Sequence, residues 1–196
     1  LKPRPAAPVG NVNVRFPDHV ATPVVRTHTG QPNQAAAVIA WPTGGGSAGL
    51  TESRKLELLA AIFRDRLLDK LRSEAGVSYT PNVSSDWPVG LPSGGKILAI
   101  GAVPPDKTDF FFQLARGIAA DLVANPITQD ELRRAQAPVL QFIARVSSGN
   151  MFWMQQTAGG TLDPKRIDAI NTIASDIGTT TAADIQALAA KYLRPE

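Results

Sequence analysis

The sequence predicts an α+β domain of two layers, in which helices pack on one face of a mainly antiparallel sheet. Two extended runs, 77–87 and 94–103, are joined by a glycine- and proline-rich loop that is short enough for antiparallel pairing. The chain after Val103 is helical, and its helices carry start and stop signals. Strands followed by a helical tail favour this class over a doubly wound fold.

Proline dominates the start of the chain. Residues 1–23 contain five prolines among small and polar residues. Such a composition stays extended and buries little apolar surface, so it predicts a linker or strap that precedes a domain at 24–196. Because the first residue is Leu1 and not methionine, we expect the chain to be part of a longer protein.

Valine- and alanine-rich segments predict two strands, 23–29 and 34–41, and a glycine-rich loop at 43–49. A core-facing helix of about six turns should follow, with Thr51 as its N-cap and Gly76 just beyond its last turn. Its apolar residues recur at three- and four-residue steps: Leu56, Leu59, Phe63, Leu67 and Leu71. Pro81 interrupts the next strand, which predicts an edge or a bulge there.

Five further helices are predicted in the second half of the chain. Asp106 should cap the first, and the sequence Thr128-Gln129-Asp130-Glu131 is a capping box for the second, which Pro138 should kink. A short helix at 150–158, a helix from Pro164 to Ile177 and a last one from Thr181 complete the prediction. The apolar stripes of the first two helices comprise Phe110 or Phe111, Leu114, Ile118 and Leu122, then Leu132, Ala135, Val139, Phe142, Ile143 and Val146.

The composition excludes several classes of function. The net charge is +3, but the basic residues are interspersed with acids, so a mixed solvated surface is expected and no nucleic-acid partner. The absence of cysteine excludes disulfides, thiolate zinc sites and cysteine nucleophiles. No apolar run approaches the roughly 18 residues of a membrane span.

The histidines do not predict a metal site in this chain. His19 and His28 lie nine residues apart, and neither belongs to an H-x-x-E-H or H-E-x-x-H motif. The glycine run at 44–46 is not followed by the Gly-Lys-Ser/Thr of a phosphate-binding loop, and no G-x-S-x-G serine elbow is present. We therefore expect neither a metal nor a cofactor in this chain.

Met151, Phe152, Trp153 and Met154 form the most apolar short cluster. At helical spacing, such a cluster is typical of a core or of a contact between domains.

Arg72 and Tyr79 remain as candidate site residues. They flank the point where the long helix stops and the next strand begins, seven residues apart. The sequence alone leaves two interpretations open. Arg72 suits the negative end of a helix dipole and Tyr79 suits a strand, or both belong to a site.

The segment Leu71-Arg72-Ser73-Glu74-Ala75-Gly76-Val77-Ser78-Tyr79 resembles the L-R-x-x-x-G-x-x-Y corner in the C-terminal half of the insulinase/pitrilysin family of zinc metallopeptidases, the inverzincins. The resemblance extends over roughly 24–196 and is strongest to the last domain of the long bacterial members. Further matching stretches are 28–35 before the strand Val38-Ile39-Ala40-Trp41-Pro42, Val103-Pro104-Pro105, Thr128-Gln129-Asp130-Glu131-Leu132 and Tyr192-Leu193-Arg194-Pro195.

This resemblance implies a domain that works with zinc without binding it. In the family, the zinc ligands and the general base come from an N-terminal domain, and the C-terminal half closes over a peptide or unfolded protein substrate. Arg72 and Tyr79 match the family's arginine and tyrosine, which hold the substrate carbonyl and stabilise the tetrahedral intermediate. The acid that usually follows the arginine is displaced here, because Ser73 occupies that position and Glu74 comes next.

The resemblance leaves an alternative open. Some family members have lost the zinc motif and supply only this corner to a partner, so the domain could also be an inert structural or partner-binding domain. The isolated chain is expected to be inactive in either case. Long bacterial relatives are commonly exported, which makes the periplasm the expected compartment.

Overall fold

The computed structural model describes residues 22–75 and 81–194, together with Phe16 and Val20. Most of the predicted linker therefore lies outside the described residues, and so does the segment 76–80. The described elements are, in order, β1 (Ala35–Gly44), α1 (Leu50–Ala75), β2 (Asn82–Asp86), β3 (Ser93–Val103), α2 (Thr108–Ala124), α3 (Gln129–Val146), α4 (Asn150–Thr157), α5 (Lys165–Ile170), α6 (Ile173–Gly178) and α7 (Ala182–Tyr192).

The three strands of the described chain form an antiparallel sheet with β3 in the centre and β1 and β2 on either side. Side chains alternate between the two faces of each strand. Ala37, Trp41, Val83, Ile97 and Ala99 lie on the face that is buried under the helices. The predicted antiparallel pairing of the strands on either side of the 87–92 loop is confirmed.

Helices α1 and α2 cover this face and supply half of the buried apolar residues of the described core. The five predicted apolar positions of α1 are all fully buried. On α2 the buried positions are Phe111, Ala115, Ile118, Ala119 and Leu122. The predicted class, an α+β domain with helices on one face of an antiparallel sheet, is confirmed.

The C-terminal helices complete the core. Ile177, Ile185, Ala189 and Leu193 are all buried, and α7 packs against both α1 and α2. Helices α3 and α7 begin with capping boxes: Thr128 accepts from the backbone N–H of Glu131, and Thr181 from that of Asp184. The box at Thr128 confirms the sequence prediction.

Helix α3 is buried over a shorter stretch than predicted. Only Leu132 and Ala135 are fully buried, whereas Phe142 is 53% exposed. In its second half, Val139 and Ile143 are half-buried and pack against the edge of the core, so of the predicted stripe only Phe142 is exposed.

Three predicted features of the N-terminal half and the tail differ from the structure. Segment 23–29 is irregular and not a strand, and both valines at its start are exposed. Thr51 lies inside α1, where its hydroxyl donates to Asp176 instead of capping the helix. The predicted helix from Pro164 to Ile177 is two short helices, α5 and α6, separated at Asn171 and Thr172. No helix of the described chain is both long and apolar enough to cross a membrane.

Candidate functional site

The C-terminal end of α1 positions the first candidate residue. Leu71 lies fully buried in the core, and Arg72 is the next residue, in the last turn of this 26-residue helix. Because the apolar stripe of α1 is packed along its whole length, the backbone at Arg72 is held by the core and not by contacts of its own side chain.

The Arg72 side chain is exposed. Within the described residues its guanidinium forms no hydrogen bond and no ion pair. The neighbouring Ser73 hydroxyl donates to the carbonyl of Lys70, one turn back in the same helix, at 3.2 Å.

The other three arginines of α1 are all bound within the domain. Arg54 donates to Asp176, to Thr172 at 3.1 Å and to the carbonyl of Ala169 at 2.7 Å. These contacts fasten α1 to α5 and α6.

Arg66 fastens α1 to α2 and α3. It donates to Asp121 at 2.6 Å and to Glu131 at 2.7 Å. Arg64 pairs with its neighbour Asp65 at 3.1 Å. Arg72 differs from all three, since its charge has no partner among the described residues.

Tyr79, the second candidate, lies outside the described residues, as does Gly76. The description resumes at Pro81, which is buried, and β2 begins at the next residue. The structure places Arg72 at the end of α1 but does not test the predicted proximity of Tyr79 to it.

The strongest carboxyl pKa shift lies on a structural contact. The pKa of Glu131 is lowered to about 2, chiefly by hydrogen bonding from Arg66 and also by the backbone N–H and hydroxyl of Thr128, while burial acts in the opposite direction. Burial raises the pKa of Glu52, but hydrogen bonds from Lys191 and Tyr192 outweigh it, and the net pKa is lowered. These carboxylates join helices and do not form a catalytic pair.

The described residues do not fit a zinc ion. His28 is exposed in the irregular segment before β1, and His19 lies outside the described residues. Across 22–75 and 81–194, no three histidine, cysteine or acidic side chains lie close enough together to hold a metal.

The predicted apolar cluster at 151–154 is on the surface. Met151 and Met154 are each 61% exposed, and Trp153 is 43% exposed. The Trp153 indole N–H donates to the carbonyl of Ser147 at 2.7 Å, which holds α4 against the end of α3. The interpretation of this cluster as core is wrong for these three side chains, and a contact with another domain stays a prediction.

One polar cavity was not predicted. It lies between the start of α1, the loop after β2, and helices α4 and α5, and its charged lining residues are Arg54 and Arg166. No local sequence signal could reveal it, since its walls come from segments about a hundred residues apart.

Comparison with known proteins identifies the family. Residues 2–139 match the family model described as the peptidase M16 inactive domain. No curated protein sequence matches the chain significantly.

Several solved structures share the fold. An M16-like peptidase from Alicyclobacillus acidocaldarius superposes with a TM-score of 0.68 at 15% identity over 83% of this chain. The chain spans only 38% of that protein's length. The periplasmic protease PqqL from Escherichia coli has a TM-score of 0.64 at 14% identity, over 81% of this chain and 17% of its own.

A structure described as the inactive peptidase domain of a zinc protease from Bordetella parapertussis has a TM-score of 0.64 at 18% identity, over 82% of this chain and 87% of its own. The match therefore covers nearly all of that domain. Together with the match to the family model over most of the sequence, the α+β fold establishes that this chain belongs to the M16 peptidase family, as an inactive domain of the insulinase type.

Proposed function

We propose that this domain supplies Arg72 and Tyr79 to bind a peptide and stabilise its tetrahedral intermediate in a zinc-dependent endopeptidase, while another domain holds the metal. The substrate would be a peptide or an unfolded protein. The coarser part of the proposal, an inactive M16 domain, follows from family membership. The roles of the two side chains go further than that and need a test.

One observation carries the assignment of Arg72. Of the four arginines on α1, three are bound to acids within the domain, and Arg72 is exposed at the end of a rigidly packed helix with no partner among the described residues. An arginine that stabilised the fold would be expected to pair with acidic side chains of other helices, as Arg54 and Arg66 do. A free guanidinium on a rigid support is suited to an external ligand.

The chemistry assigned to this chain is hydrogen bonding. Zinc, when bound in the other domain, would activate water for attack on the peptide bond. Arg72 can offer two parallel N–H donors to substrate oxygens, which fixes the orientation of the peptide. The Tyr79 phenol can donate one hydrogen bond to the oxygen on which negative charge develops, and such a donor acts most strongly in the transition state.

We place the parent protein in the periplasm. This is supported by the structural similarity to a protease described as periplasmic. Cell fractionation of the parent organism, with an antibody to the domain, would check this assignment.

The first test replaces Tyr79 by Phe in the full-length protein. The loss of one oxyanion donor should lower kcat by about 10²-fold while KM changes little. Zinc content and melting temperature should stay near the wild-type values. Tyr192→Phe is the matched control, because Tyr192 donates to Glu52 inside the domain and its loss should affect stability but not turnover. Unchanged turnover in Tyr79→Phe would remove this residue from the proposal.

The second test replaces Arg72 by Lys. An ammonium cannot reproduce the planar, two-pronged donor, so kcat/KM should fall by about 10-fold or more. Arg116→Lys makes the same change at an exposed position of α2 and should leave turnover unchanged. Equal turnover in the two variants would mean that Arg72 is a surface residue without a role in substrate binding.

The alternative is an inert domain that serves as a wall or an assembly surface. It is favoured by the exposed apolar side chains of α4, which are unusual for a free surface. Under this alternative, neither Tyr79→Phe nor Arg72→Lys would change turnover, and substitutions on α4 would weaken assembly of the parent protein.

A further inference from the structure

A cavity of about 180 Å³ lies at the opposite end of α1 from Arg72. Leu50, which lines the cavity, and Arg72 lie roughly 33 Å apart along α1 at 1.5 Å per residue, so the cavity is separate from the candidate site. Four polar side chains line it, namely Arg54, Gln155, Gln156 and Arg166, and the rest of the lining is apolar. We propose that this cavity binds a carboxylate group carried on a short hydrocarbon stem.

The charge of the lining is positive. Two arginines line the cavity, and none of its lining residues is acidic. Arg54 is paired with Asp176 and its side chain is only 12% exposed, so it contributes a fixed part of the cavity wall. Arg166 forms no hydrogen bond and no ion pair with its side chain among the described residues, which leaves its charge uncompensated.

The position of Arg166 depends on a glycine. Gly159 has a φ of 80°, in the left-handed region, and a Cβ built there would lie 3.0 Å from Nη1 of Arg166. Any other residue at 159 would be strained and would crowd the guanidinium. The turn before α5 thus leaves room for this side chain at the cavity.

Two further features suit an anion. Gln155 and Gln156 line the cavity with carboxamide groups that make no hydrogen bond to described residues, so their N–H donors are available. Leu50, the first residue of α1, is also part of the lining, so the positive end of a 26-residue helix adjoins the cavity.

The shape of the donors selects a carboxylate. A guanidinium presents parallel N–H groups that match the two oxygens of a carboxylate, and the amides can complete their hydrogen bonds. Leu50, Val89 and Ile170 provide apolar walls for a few methylene groups. A free dicarboxylic acid and a glutamate side chain of a peptide share this chemistry.

The experiment is a titration of the ¹⁵N-labelled chain followed by NMR, at constant ionic strength set with sodium chloride. The probes are succinate and the peptide acetyl-Gly-Glu-Gly-amide, with 1,4-butanediol as the uncharged control. We expect saturable shifts of the Gln155 and Gln156 side-chain amides with at least one carboxylate probe, and none with the diol. The probe that binds more tightly identifies the source of the carboxylate.

Arg166→Gln should weaken this binding at least 10-fold, and Gln155→Leu should weaken it without changing the charge. Arg116→Gln removes the same charge from an exposed site on α2 and should bind as the wild type does. Dispersed spectra of all variants will show that they are folded. Shifts that grow linearly without saturation, or equal binding by Arg166→Gln and Arg116→Gln, would overturn the proposal.

Discussion

At the scale of single residues, burial separates side chains that hold the fold from those available for function. Arg66 is 20% exposed, and its two carboxylate partners lie on α2 and α3. Hydrogen bonds between charged groups at such half-buried positions contribute more than exposed pairs do. Arg72 has the same chemistry without these partners, so its replacement should cost little stability.

The pH dependence of stability tests whether the paired carboxylate of Glu131 stabilises the fold. Its pKa is lowered to about 2, whereas in the unfolded chain the carboxyl should titrate near its ordinary pKa of 4.5. A lowered carboxyl pKa stabilises the folded state above the unfolded pKa, and this contribution is lost as the pH falls from about 5 to 2. Glu131→Gln should therefore lower the free energy of unfolding by about 1–3 kcal/mol at pH 7, and the deficit should shrink towards pH 2.

Urea denaturation at several pH values between 2 and 7 measures this difference. Asp168→Asn is the control, because Asp168 is exposed on α5 and its side chain forms no hydrogen bond or ion pair with the described residues. Its difference from the wild type should stay nearly constant over the same range. A deficit of Glu131→Gln that does not depend on pH would contradict the assignment.

At the scale of elements, the centre of the sheet is fitted closely to α2. Gly101 lies in the middle strand β3, and a Cβ built there would approach Cε2 of Phe111 to 2.5 Å. Phe111 is fully buried, and its ring is packed within the core. The absence of a side chain at 101 therefore sets the distance between the sheet and α2.

A pair of glycine substitutions tests this fit. Gly101→Ala should lower the free energy of unfolding by about 1–3 kcal/mol, because it overpacks the core. Gly117→Ala, in the exposed middle of α2, should raise it by about 0.4–1 kcal/mol, because a Cβ built there meets no atom within 4 Å beyond the adjacent backbone of its own helix. Chemical denaturation measures both, and a similar change in the two variants would mean that the contact with Phe111 is not limiting.

Elements with local signals were predicted well, and those that depend on distant partners were not. The capping box at Thr128 and the apolar stripe of α1 lie within short segments, so the sequence displays them directly. Segment 23–29 has strand-like residues, but a strand forms only where a neighbour offers its backbone. The exposure of Phe142 has a similar cause, since no residue of α3 reveals where the core ends.

The candidate site was predictable only in part for the same reason. The spacing of Arg72 and Tyr79 is visible in the sequence, and so is the helix that carries Arg72. The sequence does not reveal that Arg66 has carboxylate partners whereas Arg72 has none among the described residues, since the partners of Arg66 lie 55 and 65 residues further along the chain. Whether Tyr79 reaches the same site stays a prediction.

At the scale of the whole molecule, the C-terminal helices belong to the same core as the sheet. The family model ends at residue 139, yet Ile177 and Ile185 beyond it are buried in the core with residues of α1 and α2. Ion pairs reinforce the connection: Lys55 contacts Asp184 at 3.0 Å, and Lys191 contacts Glu52 at 2.6 Å. The tail and the matched region should therefore unfold together.

Ile185→Ala tests this cooperativity. The loss of a fully buried side chain should lower the free energy of unfolding by about 2–5 kcal/mol. Circular dichroism and tryptophan fluorescence should still give one coincident transition, at lower denaturant than in the wild type. Leu162→Ala, at a side chain that is 91% exposed, should change stability by less than about 0.5 kcal/mol. Two separate unfolding transitions in the wild type or in Ile185→Ala would show that the C-terminal helices fold independently of the rest.

Because α1 is packed continuously against the core, its length fixes both the position and the direction of Arg72. Each residue of an α-helix turns the chain by about 100° and advances it by about 1.5 Å. A single residue inserted between Phe63 and Arg72 would keep the composition almost unchanged but would turn one end of the helix against the other. Either Leu71 would leave the core, or Arg72 would point in a new direction. The direction in which the Arg72 guanidinium points thus depends on the number of residues between Arg72 and the buried part of α1. Insertions or deletions in α1 should therefore reduce function far more than substitutions of exposed side chains do.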